Sequence, residues 1–327
     1  MSVTLNNMRN FEIPGTVLKF PQDEGIHEDV KHEWWYFNGH VYDKKGLAYG
    51  LMVCFFNHGK LYVGITDEDN NKHYSNTFFG NLKAANDRLH VSIDNNWWIE
   101  KQKNIYQLHI ELAEIRLDLD MAAERPPLLV GGQGMVVLGN GGVSYYYSHP
   151  RLGLNGKLVL LDTKIDVSGI GWIDRQWGNW DFNGFNGWEW FSIHLDNGMD
   201  IHLSKYFHPY TDASITPMLN IMHGNGEQET LYSYELEYMD YWIHPETRDR
   251  FSHGWRIMIP EKNIVLDVIP TINNQLLHEK LWEGSCNVVG KVSNKAVKGR
   301  AYVEIFLRKN KKIVARIAKL LISLTRA

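Results

Sequence analysis

Short apolar runs, each closed by a turn signal, follow one another along nearly all of this 327-residue chain. Residues 32–41 form an aromatic run of strand length, Asp43-Lys44-Lys45-Gly46 is a polar turn, and residues 47–56 form a second run. Two such runs joined by a short glycine-containing turn predict a hairpin. The same grammar continues at 61–65, 89–93, 97–99 and 106–112, where apolar and polar residues alternate as a half-buried strand requires. After the Pro126-Pro127 break and a glycine-rich connection, further strands are predicted at 144–148, 156–161, 163–169, 188–195, 199–206, 230–241, 255–259, 264–269, 287–292 and 299–307. Many short strands at regular spacing imply an all-β sandwich or barrel.

The length suits two medium domains, and the Asn- and Gly-rich stretch 179–187 is the expected boundary. The expected division is residues 1–183, a first β domain; residues 184–307, a second β-barrel; and residues 308–327, a helix. That last segment carries seven basic residues and no acid, with Ile313, Ile317, Leu320, Leu321 and Leu324 at helical spacing. A basic amphipathic helix of this kind either lies on an anionic membrane surface, a peripheral contact, or packs on the barrel. A net charge of −4 with 22% charged residues gives no global reason to expect a nucleic-acid partner. Cys54 and Cys286 stand far apart and are expected as free buried thiols of a reducing compartment. With no apolar leader at the N-terminus and no stretch of membrane-spanning length, a soluble cytoplasmic protein is expected.

Twelve tryptophans are the compositional oddity, and five of them fall between Gly169 and Phe191. Asp174 sits there with indoles at i−2 and i+3. In an extended segment Trp172 and Asp174 share a face. Aromatic walls desolvate a carboxyl and raise its pKa, so Asp174 is expected to act as a proton donor at neutral pH. A pairing of Asp174 with Arg175 is the structural alternative. Glu33 beside Trp34, Glu189 between Trp188 and Trp190, and Glu283 after Trp282 repeat the motif of an acid among rings. Protonation of an unactivated alkene needs such a setting, because the acid must be dry and the resulting cation needs aromatic faces. No G-x-S-x-G, H-E-x-x-H, paired C-x-x-C or P-loop is present, so nothing indicates those hydrolase, metal or nucleotide chemistries. No cofactor and no metal are expected. His194 and His202 lie on predicted strands and are read as satisfied strand histidines.

The segments H-E-W-W-Y-F-N-G-H (32–40), Tyr145-Tyr146-Tyr147-Ser148, G-x-G-W-I-D-R-Q-W-G (169–178), W-E-W-F-S-I-H-L-D-N-G (188–198), Leu281-Trp282-Glu283-Gly284 and Gly299-Arg300-Ala301-Tyr302-Val303-Glu304 together resemble the carotenoid 1,2-hydratase and AttH-like superfamily. The resemblance implies two consecutive lipocalin-like β domains with a hydrophobic pocket near their junction. It further implies hydration of an isoprenoid alkene, or pericyclic chemistry on a polyene, without a cofactor. Carried over by motif, Asp174 is the proton donor and Trp172 stands where carotenoid hydratases resemble a Tyr. Their upstream H-x-W falls on Tyr145 and Tyr147. Loss of that His favours an AttH-like or cyclase-like relative. The catalytic set expected is Asp174, Glu33, Tyr145 and Tyr147, with Glu33 orienting or sharing a proton with Asp174. Trp35, Trp172, Trp177, Trp188, Trp190, Trp282 and Glu283 are expected to bind a hydrophobic small-molecule substrate. The outcome is hydration, cyclisation or isomerisation; the alternatives are a Diels-Alderase-like pericyclase or a non-catalytic carrier.

Overall fold

Alternation in the sequence becomes an all-β protein in a computed structural model that describes residues 17–102, 105–138, 141–209 and 213–307. The helix expected over 308–327 lies outside the described residues. The first sheet opens with β1 (His32–Tyr42), β2 (Ala48–Phe56), β3 (Lys60–Asp67) and β4 (Lys72–Phe79), joined as successive hairpins. It continues through β5 (Leu82–Ala84), β6 (His90–Ile93), β7 (Asn96–Gln102), β8 (Ile105–Glu111) and β9 (Ile115–Ala123). The short β10 (Leu128–Leu129) and β11 (Met135–Leu138) pair with β12 (Gly142–Leu160), and β13 (Thr163–Asn179) lies between β12 and β1.

The second sheet takes β14 (Trp188–Leu195), β15 (Asp200–Phe207), β16 (Ser214–Met222), β17 (Gln228–Leu231) and β18 (Glu235–Tyr238). A separate hairpin, β19 (Tyr241–Ile243) and β20 (Arg250–Ser252), interrupts it. It closes with β21 (Trp255–Ile259), β22 (Ile264–Pro270), β23 (Leu276–His278), β24 (Leu281–Val292) and β25 (Lys295–Phe306). Both sheets share one plan, since the opening strand of each pairs with its last strand, β1 with β13 and β14 with β25.

Each sheet curls around its own core. Trp35, Phe37, Val53, Phe55, Trp98 and Leu117 fill the first, and Phe191, Ile201, Trp255, Leu266 and Trp282 fill the second. A fully buried side chain of this size stabilises by about 1.5–3 kcal/mol, so each core supports its own sheet. The alternate residues do something else. Tyr36, Met52, Cys54 and Tyr62 of the first sheet pack with Trp190, Leu281 and Tyr302 of the second, so the outer faces of the two sheets meet. Polar contacts tie them: Ser192 Oγ donates to Asn38 Oδ1 (3.1 Å), Thr66 Oγ1 to Gln275 Oε1 (2.8 Å), and Arg151 to both oxygens of Asp200. At Gly50 a Cβ would stand 2.6 Å from that of Ser285, so only glycine lets β2 approach the second sheet this closely.

Two expectations change. The strand expected over 163–169 runs on through the glycine-rich stretch from Gly169 inside the 17-residue β13. Its glycines serve close strand pairing: a Cβ at Gly169 would lie 2.0 Å from the carbonyl oxygen of His40. The strand expected over 230–241 is divided among β17, β18 and β19.

Candidate functional site

Register places the site. Ser148 on β12, Asp174 on β13, Tyr36 on β1, Cys54 on β2 and Tyr62 on β3 are cross-strand neighbours, and the period of two puts all five on the face turned to the second sheet. One residue pair along, Tyr146 faces Gln176 and Trp34 in the same way. From the other side β14 contributes Trp188 and Trp190, β24 contributes Leu281 and Glu283, and β25 contributes Glu304 and Phe306. Between the faces lies a cavity of about 200 Å³ lined by these residues other than Ser148. A cavity of roughly 150 Å³ holds benzene, so the enclosed part takes a ring or a branched alkyl end and the rest of a ligand extends towards the opening.

Asp174 is 3% exposed and accepts three hydrogen bonds. Ser148 Oγ and Trp172 Nε1 each donate to Oδ1 at 2.5 Å, and the Tyr146 hydroxyl donates to Oδ2. Burial pushes its pKa up to about 6 against the opposing pull of the three donors. The direction is the one expected from burial, and the three donors favour the charged form. Its carboxyl therefore exchanges its proton much nearer neutral pH than an ordinary aspartate does. Tyr146 in turn accepts from Trp190 Nε1 (2.8 Å) and lies 3.4 Å from His202 Nε2. Burial holds His202 and His194 down at about 3, hence neutral. His202 bonds to Ser204 and Asn220, and His194 to the carbonyl of Pro150.

A second acidic centre faces the same cavity. Glu283 and Glu304 are register partners on β24 and β25 and hydrogen-bond to each other. Tyr36 donates to Glu283 (3.0 Å) and Trp188 Nε1 to Glu304 (2.6 Å). Burial, then the charge of Glu304, raises Glu283 well above the usual carboxylate range. Glu304 is pushed up to about 7 by burial, with the charge of Asp174 adding to it. Glu283 is 1% exposed, whereas Glu304 keeps accessible surface, so Glu304 is the member of the pair that a ligand in the cavity can reach.

The remaining expected residues lie elsewhere. Glu33 does not meet Asp174: an odd offset along β1 turns it to the opposite face, where it pairs with Arg175 Nη2 at 2.5 Å and His27 Nδ1 at 2.8 Å. Those partners hold its pKa below the usual value although burial pushes the other way. The same pair removes the alternative of an Asp174–Arg175 bridge. Tyr145, Tyr147 and Trp177 share that opposite face, packed by stacked and edge-on ring contacts with one another, His27 and Phe20, so the residues of this segment on the junction face are Tyr146, which lines the cavity, and Ser148. Trp35 belongs to the first core with the Arg175 guanidinium 4.1 Å over its ring, and Trp282 to the second, donating to the carbonyl of Asn273. Trp172 stands behind the wall, against Trp190 and His194. Trp188, Trp190 and Glu283 do line the cavity. Glu304, Tyr146 and Tyr36 were not singled out from sequence; Glu304 closes the Arg300–Glu304 segment of the resemblance, and only strand register sets it beside Glu283.

Two curled antiparallel sheets whose outer faces enclose buried acids among aromatic rings define a double lipocalin-like β protein. The chain belongs to the AttH-like family, whose pattern matches residues 12–306. The AttH structure from Nitrosomonas europaea superposes with a TM-score of 0.79 at 23% identity, covering 91% of this chain and 99% of that one. Kievitone hydratase from Nectria haematococca gives 0.75 at 17% identity, covering 89% and 93%. The dehydratase asqC of Emericella nidulans is 25% identical over 207 residues, so the chain spans 58% of that relative's length and 58% of its own is matched.

Proposed function

We propose that the protein is a lyase that removes water from, or adds it to, an apolar isoprenoid-like or polyene substrate held between the two sheets. The observation that carries this reading is the pair of acidic centres facing one aromatic cavity. Asp174 titrates at about 6 and Glu304 at about 7. Both carboxyls are raised by burial into the range where they exchange protons near neutral pH, and in this reading Glu304 is the acid and Asp174 the base of the dehydration. The hydratase and dehydratase among the relatives support the same class.

In that direction Glu304 gives its proton to the substrate hydroxyl, the C–O bond breaks, and water leaves with the bonding pair. The carbocation rests among the faces of Trp34, Tyr36 and Trp190, where a desolvated cation–π contact is worth about 2 kcal/mol. The neighbouring C–H bond then supplies the electron pair of the alkene. Its proton passes to the Tyr146 oxygen as Tyr146 gives its own to Asp174 Oδ2, along the bond already present. Hydration is the reverse of each step. Neither direction calls for a cofactor, and a carrier has no use for two buried acidic centres facing one apolar cavity.

The test is incubation of linalool and its longer prenyl homologues in deuterated water. An enzyme of this kind yields dehydrated product and returns deuterium-labelled alcohol through the reverse reaction. Unchanged, unlabelled alcohol across the panel, together with measurable binding, would make the protein a carrier.

A further inference from the structure

The cavity's opening carries a different chemistry from its floor. Lys60 on β3 is the one Lys or Arg among the cavity-lining residues, with His58 and His278 beside it. Its ammonium lies 4.0 Å from the ring centroid of Tyr62, 5.9 Å from that of Phe56 and 5.8 Å from that of Phe79, and donates to the Tyr62 hydroxyl. Among the described residues no carboxylate stands close enough to pair with it, and burial lowers its pKa from the usual value. An ammonium partly withdrawn from water without a counter-charge is unfavourable, unless a ligand supplies the charge. His58 and His278 are likewise lowered by burial and by the Lys60 charge, and so are neutral hydrogen-bonding groups.

Lys60 lies away from Asp174 along the cavity wall. Tyr62, its contact, is three strands from Asp174 in one cross-strand row, roughly 14 Å at the usual spacing. The acids at the floor repel an anion, and the ammonium at the opening attracts one. The two together orient an amphiphile in one direction only.

We propose that the substrate carries a carboxylate or comparable organic oxyanion, held by Lys60 at the opening while its apolar reacting end lies between Asp174 and Glu304. This rests on the reading of the cavity as the substrate site. The head group fixes how far the chain enters, so Lys60 sets which carbon meets the acids. His58 and His278 complete the cradle as hydrogen-bonding partners of the oxyanion.

The experiment compares farnesoic acid with farnesol, a matched pair differing at the head group, by quenching of tryptophan fluorescence. Wild type, Lys60→Gln and Lys60→Arg are titrated at neutral pH and their folding checked by thermal melting. A charge-assisted hydrogen bond predicts that the acid binds wild type at least about tenfold more tightly than the alcohol. Lys60→Gln should remove that preference by weakening the acid alone, and Lys60→Arg should restore most of it. Equal affinities in wild type, or equal weakening of both ligands in Lys60→Gln, overturns the anionic head group and leaves the apolar cavity standing. If neither ligand binds wild type, both this proposal and the reading it rests on fail.

Discussion

Replacing Asp174 by Asn should make the protein more stable at alkaline pH while disabling it. Asp174 is buried, and its pKa moves from the ordinary 3.8 to about 6. The sign follows from proton counting: the folded state keeps this proton to higher pH than the unfolded state does. Its stability is full below about 4 and is lost as pH rises through about 6. Two pKa units correspond to about 3 kcal/mol, so the ionised carboxylate burdens the fold by about that much at pH 8. Asn cannot ionise. Its oxygen can still accept from Ser148 and Trp172, but its amide now faces the Tyr146 hydroxyl, which must turn its proton towards His202, 3.4 Å away. Urea unfolding at pH 8 should therefore show the Asn variant more stable by up to about 3 kcal/mol, less the cost of that reorientation. The difference should shrink as pH falls towards 4. Turnover should drop by about 10²- to 10⁴-fold, the usual share of acid–base catalysis, with ligand affinity largely kept. A variant that is less stable than wild type at pH 8, or that turns over within a few-fold of it, would refute the assignment of a strained, working carboxylate.

The pH profile of dehydration should be a narrow bell, rising as Asp174 loses its proton near 6 and falling as Glu304 loses its own near 7; a rate still climbing at pH 8 would remove Glu304 as the acid. Glu304→Gln should abolish the alkaline limb and slow turnover by about 10²-fold or more, read as kcat/KM against pH. Trp172→Phe deletes one donor to Asp174 and so should move the acid limb upward; an unmoved limb counts against the hydrogen bond's role. Glu33→Gln leaves Arg175 without its buried carboxylate and should lose about 3–5 kcal/mol of stability in chemical denaturation, while the limbs of the pH profile stay in place. Since Glu33 is held below its usual pKa, the stability it confers is present above the ordinary carboxylate value and lost as pH falls below it.

The all-β fold could be read from alternation wherever one strand face meets water, as in β8, where the burial pattern alternates residue by residue. The phase of β1 could not. Nearly every residue from Trp35 to Val41 is buried, because one face fills the first core and the other meets the second sheet. An aromatic run apolar on both faces has no phase, and Glu33 and Trp35 therefore looked as well placed as Trp34 and Tyr36. The same ambiguity shifted attention from Tyr146 to its neighbours Tyr145 and Tyr147. Acids beside tryptophans picked out Asp174 and Glu283, which line the cavity, but Glu189 shares that pattern and points into the second core, bonded by Tyr238 and Ser252. Glu304 has no adjacent tryptophan; its flanking rings are Tyr302 and Phe306 at i−2 and i+2. Its place depends on its register partner Glu283 on the neighbouring strand, which periodicity does not encode.

The cavity walls are built from the outer faces of two sheets, each already supported by an interior of its own. Exchanging Met52, Phe56 or Leu281 for a residue of different volume reshapes the space between the sheets without emptying either interior. Chemistry and foldability are thus carried by alternate residues of the same strands. A family with this arrangement is free to drift towards new substrates along one parity of its sequence while the other parity stays still, and laboratory variation confined to the junction-facing positions should yield folded proteins far more often than variation spread over all of them.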